Sequence, residues 1–173
     1  MKTSVFVGIS VDGFMARANG AFDFLPDNPE PHGYEEFIAS VDALLIGRNT
    51  FDVVMAFNAW PYEGKQVFVL STRPLPPVPP GAKVHHLSGE PAAIYSELVA
   101  RGIQHVYVDG GITVQRFLAA GLIDRLIITR VPVLVGTGIA LFGPVPRDIK
   151  LTHVATRQYA GGLVQSEYEV SSR

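Results

Sequence analysis

Short runs of β-branched and apolar residues alternate along this chain with segments of helical spacing, and this alternation restricts the fold more than any other feature. Strands that are joined through helices lie parallel in one sheet, with the helices packed on its two faces. The sequence predicts six such strands, at 4–10, 43–47, 65–71, 83–87, 105–109 and 124–135. Helical spacing is found at 34–41, 48–57, 90–101 and 113–120.

The C-terminal part of the chain has a different pattern. The segments 150–159 and 163–170 flank Ala160-Gly161-Gly162, which is typical of a β-hairpin. We therefore predict an α/β fold with a mostly parallel sheet of about eight strands and an antiparallel C-terminal hairpin, in a single domain over 1–173. The glycine-containing segments 11–25 and 136–143 are predicted to be loops.

Composition excludes several classes of function. The chain has 173 residues and a net charge of −2, which gives no electrostatic basis for binding nucleic acid. It contains no cysteine, so disulfides, thiolate catalysis and cysteine-ligated zinc are excluded. No apolar run approaches the roughly 20 residues of a membrane span, and the N-terminus fits a first strand better than a signal peptide. We expect a cytoplasmic protein without nucleic-acid or membrane partners.

Two adjacent glycines, Gly110 and Gly111, stand where the fifth predicted strand passes into a helix. Glycine lets the backbone approach a ligand closely, and the start of a helix offers unpaired N–H groups that suit a phosphate. Ligands of open α/β sheets bind at the carboxyl ends of the strands. The pair therefore indicates a diphosphate site, and the alternative is a strand-to-helix turn that simply requires glycine.

Two further strand ends carry groups that suit phosphate. Gly47, Arg48 and Thr50 follow the second strand, where Arg48 supplies a fixed positive fork. Asn49 or Thr50 is a candidate cap of the helix that begins there. The third strand ends in a set with two hydroxyls and an arginine, namely Leu70, Ser71, Thr72 and Arg73. Arg48 and this set are suited to a nucleotide 2′-phosphate, whereas a solvated surface arginine is the alternative for either arginine alone.

Several motifs, taken together and in this order, resemble the dihydrofolate reductase superfamily over nearly the whole chain. The closer resemblance is to the riboflavin-biosynthesis reductase branch, which forms the C-terminal domain of a bifunctional deaminase–reductase. The motifs are SVDGFMA (10–16), IGRNTF (46–51), VLSTRP (69–74), DGG (109–111), FLAAGLIDRL (117–126) and VPVLVGTGIALF (131–142).

The resemblance implies a three-layer fold and an NADPH-dependent reductase that transfers hydride to a small heterocyclic substrate, as 5-amino-6-(5-phosphoribosylamino)uracil reductase does. It assigns Gly47, Arg48 and Thr50 to the cofactor, and the set 70–73 with Arg48 to its 2′-phosphate. Gly110, Gly111, Ile112 and Thr113 would lie along the diphosphate and nicotinamide. The Gly110–Gly111 peptide is expected to be cis, as in the family. A homodimer is expected too, with the apolar segment 131–142 as a buried edge or an interface.

The resemblance also predicts where catalytic groups stand. Folate reductases carry a substrate-facing carboxylate on the first helix, but that position falls on Gly33 in this chain, and Glu35 and Glu36 are expected on the solvated face. Asp12 is a candidate substrate-binding or proton-relay group, with turn formation as its alternative. Asp109 is a second catalytic candidate, with helix capping as its alternative.

The remaining alternatives concern function and metal binding. A catalytically altered nucleotide-binding or sensing protein on the same fold, or a dihydrofolate reductase, would use a similar cofactor pocket. His85 and His86 are adjacent on a predicted strand, so their rings point to opposite faces and do not chelate one ion. We predict no metal site.

Overall fold

The computed structural model describes residues 1–26 and 31–171. In chain order, its helices and strands are β1 (Lys2–Ser10), β2 (Phe14–Arg17), α1 (Tyr34–Ser40), β3 (Ala43–Gly47), α2 (Arg48–Met55), β4 (Gln66–Leu70), β5 (Lys83–Leu87), α3 (Pro91–Ala100), β6 (His105–Asp109), α4 (Gly111–Ala119), β7 (Arg125–Val131), β8 (Gly138–Ala140), β9 (Leu151–Tyr159) and β10 (Leu163–Val170).

Eight of the strands form one sheet in the order β5-β4-β3-β6-β1-β7-β10-β9. The six strands from β5 to β7 in this order are parallel, while β10 runs antiparallel to both β7 and β9. This confirms the predicted α/β class, the mostly parallel sheet and the C-terminal hairpin. The chain leaves β1 toward one edge and returns to β6 beside it, so the carboxyl ends of β1, β3, β4 and β6 lie together at one rim.

Side chains alternate between two cores along the central strands, as expected for a sheet covered on both faces. Val5, Val7 and Ile9 of β1 pack in a cluster with residues of α3 and α4, whereas Phe6 between them packs in a cluster with α1 and α2. The molecule therefore has three layers, with a helix pair on each side of the sheet. Burying both faces explains why the strands read as continuous apolar runs in the sequence.

The two predicted loops are wrong in part, because each contains a short strand. Residues Phe14–Arg17 form β2 and residues Gly138–Ala140 form β8, and the two pair antiparallel as a separate ribbon. Gly138 permits this pairing, since a Cβ atom there would overlap the carbonyl oxygen of Ala16. We refer to this pair of strands as the β2–β8 ribbon.

Two predicted boundaries also differ from the structure. Strand β7 ends at Val131 and not at residue 135, because Pro132 has no N–H to donate and Val133 N–H bonds back to the carbonyl of Val131. Helix α2 has Gly47 as its N-cap without a side-chain cap, so neither Asn49 nor Thr50 caps it. In the described residues, no helix is long and apolar enough to cross a lipid bilayer.

Candidate active site

A cavity of about 870 Å³ opens at the carboxyl ends of the parallel strands, where the sequence predicts ligand binding. The structure brings all of the predicted cofactor residues to its wall, together with Asp109. They are Gly47, Arg48, Thr50, Leu70, Ser71, Thr72, Arg73, Gly110, Gly111, Ile112 and Thr113. Asp12 does not line this cavity.

The junctions β3–α2 and β6–α4 pack against each other through two glycines and two threonines. A Cβ atom on Gly47 would lie 2.8 Å from Oγ1 of Thr113, and a Cβ atom on Gly110 would lie 2.7 Å from Oγ1 of Thr50. Each threonine stands three residues after the glycine of its own junction and fills the space beside the glycine of the other. The two glycines therefore let the neighbouring strand ends approach closely. At both positions the cavity wall consists of main-chain atoms and not of a side chain.

Gly110 has a backbone conformation that other residues rarely adopt, with φ of 97° and ψ of 131°. Its peptide bond to Gly111 is trans, so the expectation of a cis bond is wrong for this structure. Gly110 is the N-cap residue of α4 and no side chain caps that helix. The first turn of α4 thus presents backbone N–H groups and the positive end of a helix at the cavity, which suits a phosphate group.

The guanidinium of Arg48 joins the ends of β3 and β4. Its Nε donates to Asp52 at 2.8 Å, and its Nη1 donates to the carbonyl of Pro74 at 3.0 Å and lies 3.4 Å from Oγ of Ser71. The hydroxyl of Ser71 in turn accepts from the N–H of Arg73 at 3.0 Å. These bonds fix the guanidinium of Arg48, the hydroxyl of Ser71 and the backbone of Arg73 in one part of the cavity wall.

Asp109 is the last residue of β6 and is the carboxylate that the predicted site contributes to the cavity. Burial raises the pKa of Asp109 to about 6, even though its Oδ1 accepts from the N–H of Gly110 at 2.8 Å. Asp109 therefore bonds the N-cap residue of α4 without being the cap itself. A carboxyl with such a pKa holds or releases a proton near neutral pH, which suits a general acid or base.

Three tyrosines approach Asp109 from the α1–α2 side of the sheet. The hydroxyl of Tyr107 donates to the carbonyl of Phe6 at 2.7 Å. Burial raises the pKa of Tyr62 and of Tyr107, and the negative charge of Asp109 adds to both shifts. Burial raises the pKa of Tyr34 to about 12 in the same way. The three hydroxyls therefore remain protonated at physiological pH. They surround Asp109 with neutral groups and bring no positive charge that would lower its pKa.

Aromatic and apolar side chains form another part of the wall. Tyr62 is buried there. From the segment after β1, Met15, Phe22 and Leu25 line the cavity. This surface is suited to stacking a planar ring and to excluding water from it.

One corner of the cavity consists of residues that were not predicted from the sequence. Ser88, Gly89 and Glu90 follow β5, and Arg116 of α4 donates to the carbonyl of Gly89 at 2.9 Å and lies 3.5 Å from the carboxylate of Glu90. The signal for residues 88–90 was present, because they follow a predicted parallel strand as the other site residues do. Arg116 had no such signal, since its position depends on the packing of α4 beside β5.

Several other candidates lie away from the cavity wall. The exposed Asp12 accepts hydrogen bonds from Ser10, Val135 and Gly136, which lower the pKa of its carboxyl to about 2. Glu35 and Glu36 are exposed on α1, as predicted, and neither lines the cavity.

The two adjacent histidines of β5 serve separate purposes. The ring of His85 stacks on Phe68, with centroids 4.8 Å apart, and Nε2 of His86 lies 2.7 Å from the carbonyl of Ser71. The rings therefore lie on opposite faces of β5, as predicted. Across residues 1–26 and 31–171, no group of three His, Cys, Asp or Glu side chains could hold a metal ion.

Comparison with known proteins agrees with this architecture. The model of the RibD C-terminal domain family matches residues 2–165. A crystal structure of a protein assigned to riboflavin biosynthesis, from Shewanella sp. PV-4, is 36% identical, covers 99% of this chain and 100% of its own, and has a TM-score of 0.89.

Two more distant structures share the fold. The diaminohydroxyphosphoribosylaminopyrimidine deaminase/5-amino-6-(5-phosphoribosylamino)uracil reductase of Thermotoga maritima has a TM-score of 0.73 at 16% identity, over 98% of this chain and 56% of that one. The dihydrofolate reductase of Enterococcus faecalis, complexed with NADP(H) and RAB-propyl, has a TM-score of 0.67 at 16% identity, over 99% and 97%. The fold is therefore that of the dihydrofolate reductases.

Proposed function

The chain belongs to the RibD C-terminal domain family, and from this premise we propose that it is an NADPH-dependent reductase that transfers hydride to a small heterocyclic substrate. The family supports a riboflavin-pathway reductase-like function in general. One observation carries the finer proposal. A single cavity joins an arginine and hydroxyl cluster, a glycine-bounded helix start and a carboxyl group with a raised pKa.

The residues of the cavity fit NADPH. Arg48, Ser71 and Arg73 would hold the 2′-phosphate, because guanidinium and hydroxyl groups match its oxygens. Gly110 and Gly111 would face the diphosphate, since a side chain on either residue would meet Thr50 or Ile139 and would cover the backbone. When bound, the cofactor supplies a hydride equivalent.

The residues of the chain would hold the substrate ring in position and supply a proton. The apolar wall with Met15, Phe22 and Tyr62 would hold a planar ring against the cofactor site and keep water away from it. Asp109 would bind a ring nitrogen or its substituent and exchange a proton with it at an Oδ atom. Its pKa of about 6 allows both protonation states at physiological pH.

The position of Asp109 favours a pyrimidine-like substrate over dihydrofolate. The carboxyl group with a raised pKa in this cavity is that of Asp109 at the end of β6, whereas Glu35 and Glu36 of α1 are exposed and lie outside the cavity. The substrate named for the Thermotoga relative, 5-amino-6-(5-phosphoribosylamino)uracil, is the first compound to test.

Titration and turnover together test the proposal. NADPH should bind the wild-type protein at least about tenfold more tightly than NADH, because only NADPH has the 2′-phosphate. Addition of the pyrimidine should then consume NADPH, whereas dihydrofolate should not. Tight NADPH binding without consumption by either compound would support a nucleotide-binding or sensing protein instead. Absence of binding to either nucleotide would contradict the proposal.

We also propose that the protein is a homodimer that uses the segment after β7. Leu134 is 73% exposed and Phe142 is 46% exposed, although this segment is among the most apolar of the chain. Exposed large apolar side chains that are close in sequence are typical of an interface with another chain.

A further inference from the structure

The β2–β8 ribbon lies directly on Gly111, the second glycine of the pair at the cavity wall. A Cβ atom on Gly111 would lie 2.8 Å from Cγ2 of Ile139 and 3.7 Å from Sδ of Met15. Ile139 belongs to β8 and Met15 to β2, and both side chains line the cavity. The ribbon therefore determines how the backbone at the start of α4 is covered.

The ribbon is too short to keep this position without support. Its strands have four and three residues, and the pairing is irregular between Phe14 and Ala16. An isolated two-stranded ribbon of this length is marginally stable. Outside it, the N–H of Leu141 bonds to the carbonyl of Gly13 at 3.0 Å, and Gln115 of α4 donates to the carbonyl of Ala140 at 2.7 Å.

Asp12 connects the two segments that lead into the ribbon. Its Oδ2 accepts from the N–H of Gly136 at 2.7 Å and its Oδ1 accepts from the N–H of Val135 at 3.1 Å. These residues lie just before β8, whereas Asp12 lies just before β2. The carboxylate thus bridges parts of the chain that are more than 120 residues apart.

Local turn formation does not account for these bonds. The turn after β1 is closed by Ser10, whose carbonyl accepts from the N–H of Gly13 and whose Oγ accepts from the N–H of Phe14. Ser10 also donates its hydroxyl hydrogen to Asp12 at 2.6 Å, which orients the carboxylate toward residues 135 and 136. The hydrogen bonds that Asp12 accepts from Val135 and Gly136 therefore hold the distant segment and are not needed to close the turn.

We propose that Asp12 is a positioning residue that holds the β2–β8 ribbon, and through it Met15 and Ile139, against Gly111 at the cavity wall. Asp12 touches neither the cavity nor its predicted cofactor residues. The inference that this affects turnover rests on the proposed reductase function, whereas the inference that it fixes the ribbon does not. Loss of the carboxylate should loosen the cover of Gly111 and leave Arg48 and Ser71 in place.

Hydrogen exchange tests whether Asp12 holds the β2–β8 ribbon in place, and this experiment needs no cofactor. In Asp12→Ala, the amide of Leu141 and those of β8 should exchange about tenfold faster than in the wild type, because two charge-assisted hydrogen bonds are lost. Asp12→Asn keeps one oxygen acceptor and should restore part of the protection, and it also serves if the alanine variant folds poorly. Unchanged exchange in both variants would overturn the inference.

Asp42→Ala is the matched control. The carboxylate of Asp42 also accepts two distant backbone N–H groups, those of Gln104 and His105 at 2.8 Å each, but at the opposite end of the sheet. This variant should leave exchange in residues 135–141 unchanged. If Asp42→Ala and Asp12→Ala accelerate hydrogen exchange in that segment equally, the effect is general destabilisation, and the proposed role of Asp12 is overturned.

Kinetics then test the consequence for the site. In Asp12→Ala, kcat should fall about tenfold while the Kd of NADPH changes less than about threefold, with partial recovery in Asp12→Asn. Faster exchange in Asp12→Ala, with no turnover by the wild type or by any variant, would support the role of Asp12 in holding the ribbon and would contradict the reductase function. Faster exchange with unchanged kcat in a working enzyme would overturn the positioning role.

Discussion

Oγ1 of Thr50 lies 2.7 Å from the point where a Cβ atom on Gly110 would stand, so a side chain of one strand-to-helix junction fills the space beside the backbone of the next. The reverse contact, of Thr113 with Gly47, has nearly the same length. The two junctions are therefore fitted to each other before any ligand binds. Substitution of one glycine should disturb both strand ends.

Gly110→Ala should destabilise the protein by about 2–4 kcal/mol, because the new methyl group meets Thr50 and the positive φ is unfavourable for alanine. Urea unfolding measures this change. Gly64→Ala is the control, since Gly64 has a φ of 77° and open space around its Cβ position. It should lose only the backbone contribution of about 1–2 kcal/mol. Equal losses in the two variants would contradict the steric argument.

The strand-end residues could be predicted from the sequence because one geometric rule places them. Parallel strands present their carboxyl ends at the same edge of a sheet, so Gly47, Ser71 and Gly110 had to converge if their strands were parallel. The rule needs only the strand boundaries, which apolar runs reveal well. It applies equally to Ser88, which follows the predicted strand β5 and lines the same cavity.

Arg48→Gln should weaken NADPH binding about 10- to 100-fold and NADH binding less than about threefold, because only the 2′-phosphate would lose a charge-assisted partner. Calorimetric titration with both nucleotides measures this difference. Arg101→Gln is the matched control, since Arg101 also forms an ion pair with a carboxylate four residues away, but outside the cavity. Equal weakening of both nucleotides by Arg48→Gln would contradict the assignment.

Asp109→Asn should make the protein more stable at high pH and at the same time lower its turnover. The pKa of Asp109 is raised from 3.8 to about 6 in the folded protein, so folding is favoured by its protonation at low pH and loses this contribution as the pH rises through that interval. Above pH 6, the charged carboxylate costs up to about 3 kcal/mol, which the asparagine avoids. The variant should therefore be more stable than the wild type at pH 8, and this difference should vanish near pH 4.

Turnover of Asp109→Asn should fall about 100-fold or more, because the amide does not exchange a proton with the substrate. Denaturant unfolding at several pH values and steady-state kinetics measure the two effects. Asp148→Asn removes an exposed carboxylate outside the cavity and controls for the change in net charge. A stable variant with full turnover would show that Asp109 has no catalytic role.

The β2–β8 ribbon could not be predicted, for a physical reason. Its strands are three and four residues long and their pairing joins segments more than 120 residues apart, so no local periodicity marks either one. The glycines of these segments indicate loops by composition, but Gly138 allows the close pairing with Ala16. Likewise, the contact of Arg116 with residues 89 and 90 depends on tertiary packing. The wrong expectation of a cis peptide at Gly110 came from the family resemblance, because trans is the default for a bond that does not precede proline. The cytoplasmic location stays a prediction from the sequence.

The apolar segment after β7 leads to a prediction about assembly. Sedimentation at micromolar concentration should show a dimer of the wild type, and the double substitution Leu134→Ser with Phe142→Ser should weaken it at least about tenfold, because two large exposed apolar side chains leave the interface. Val99→Ser is the control, since Val99 is 46% exposed on α3, in another part of the chain. A monomeric wild type would refute the homodimer, and a dimer insensitive to the double substitution would exclude this segment as its interface.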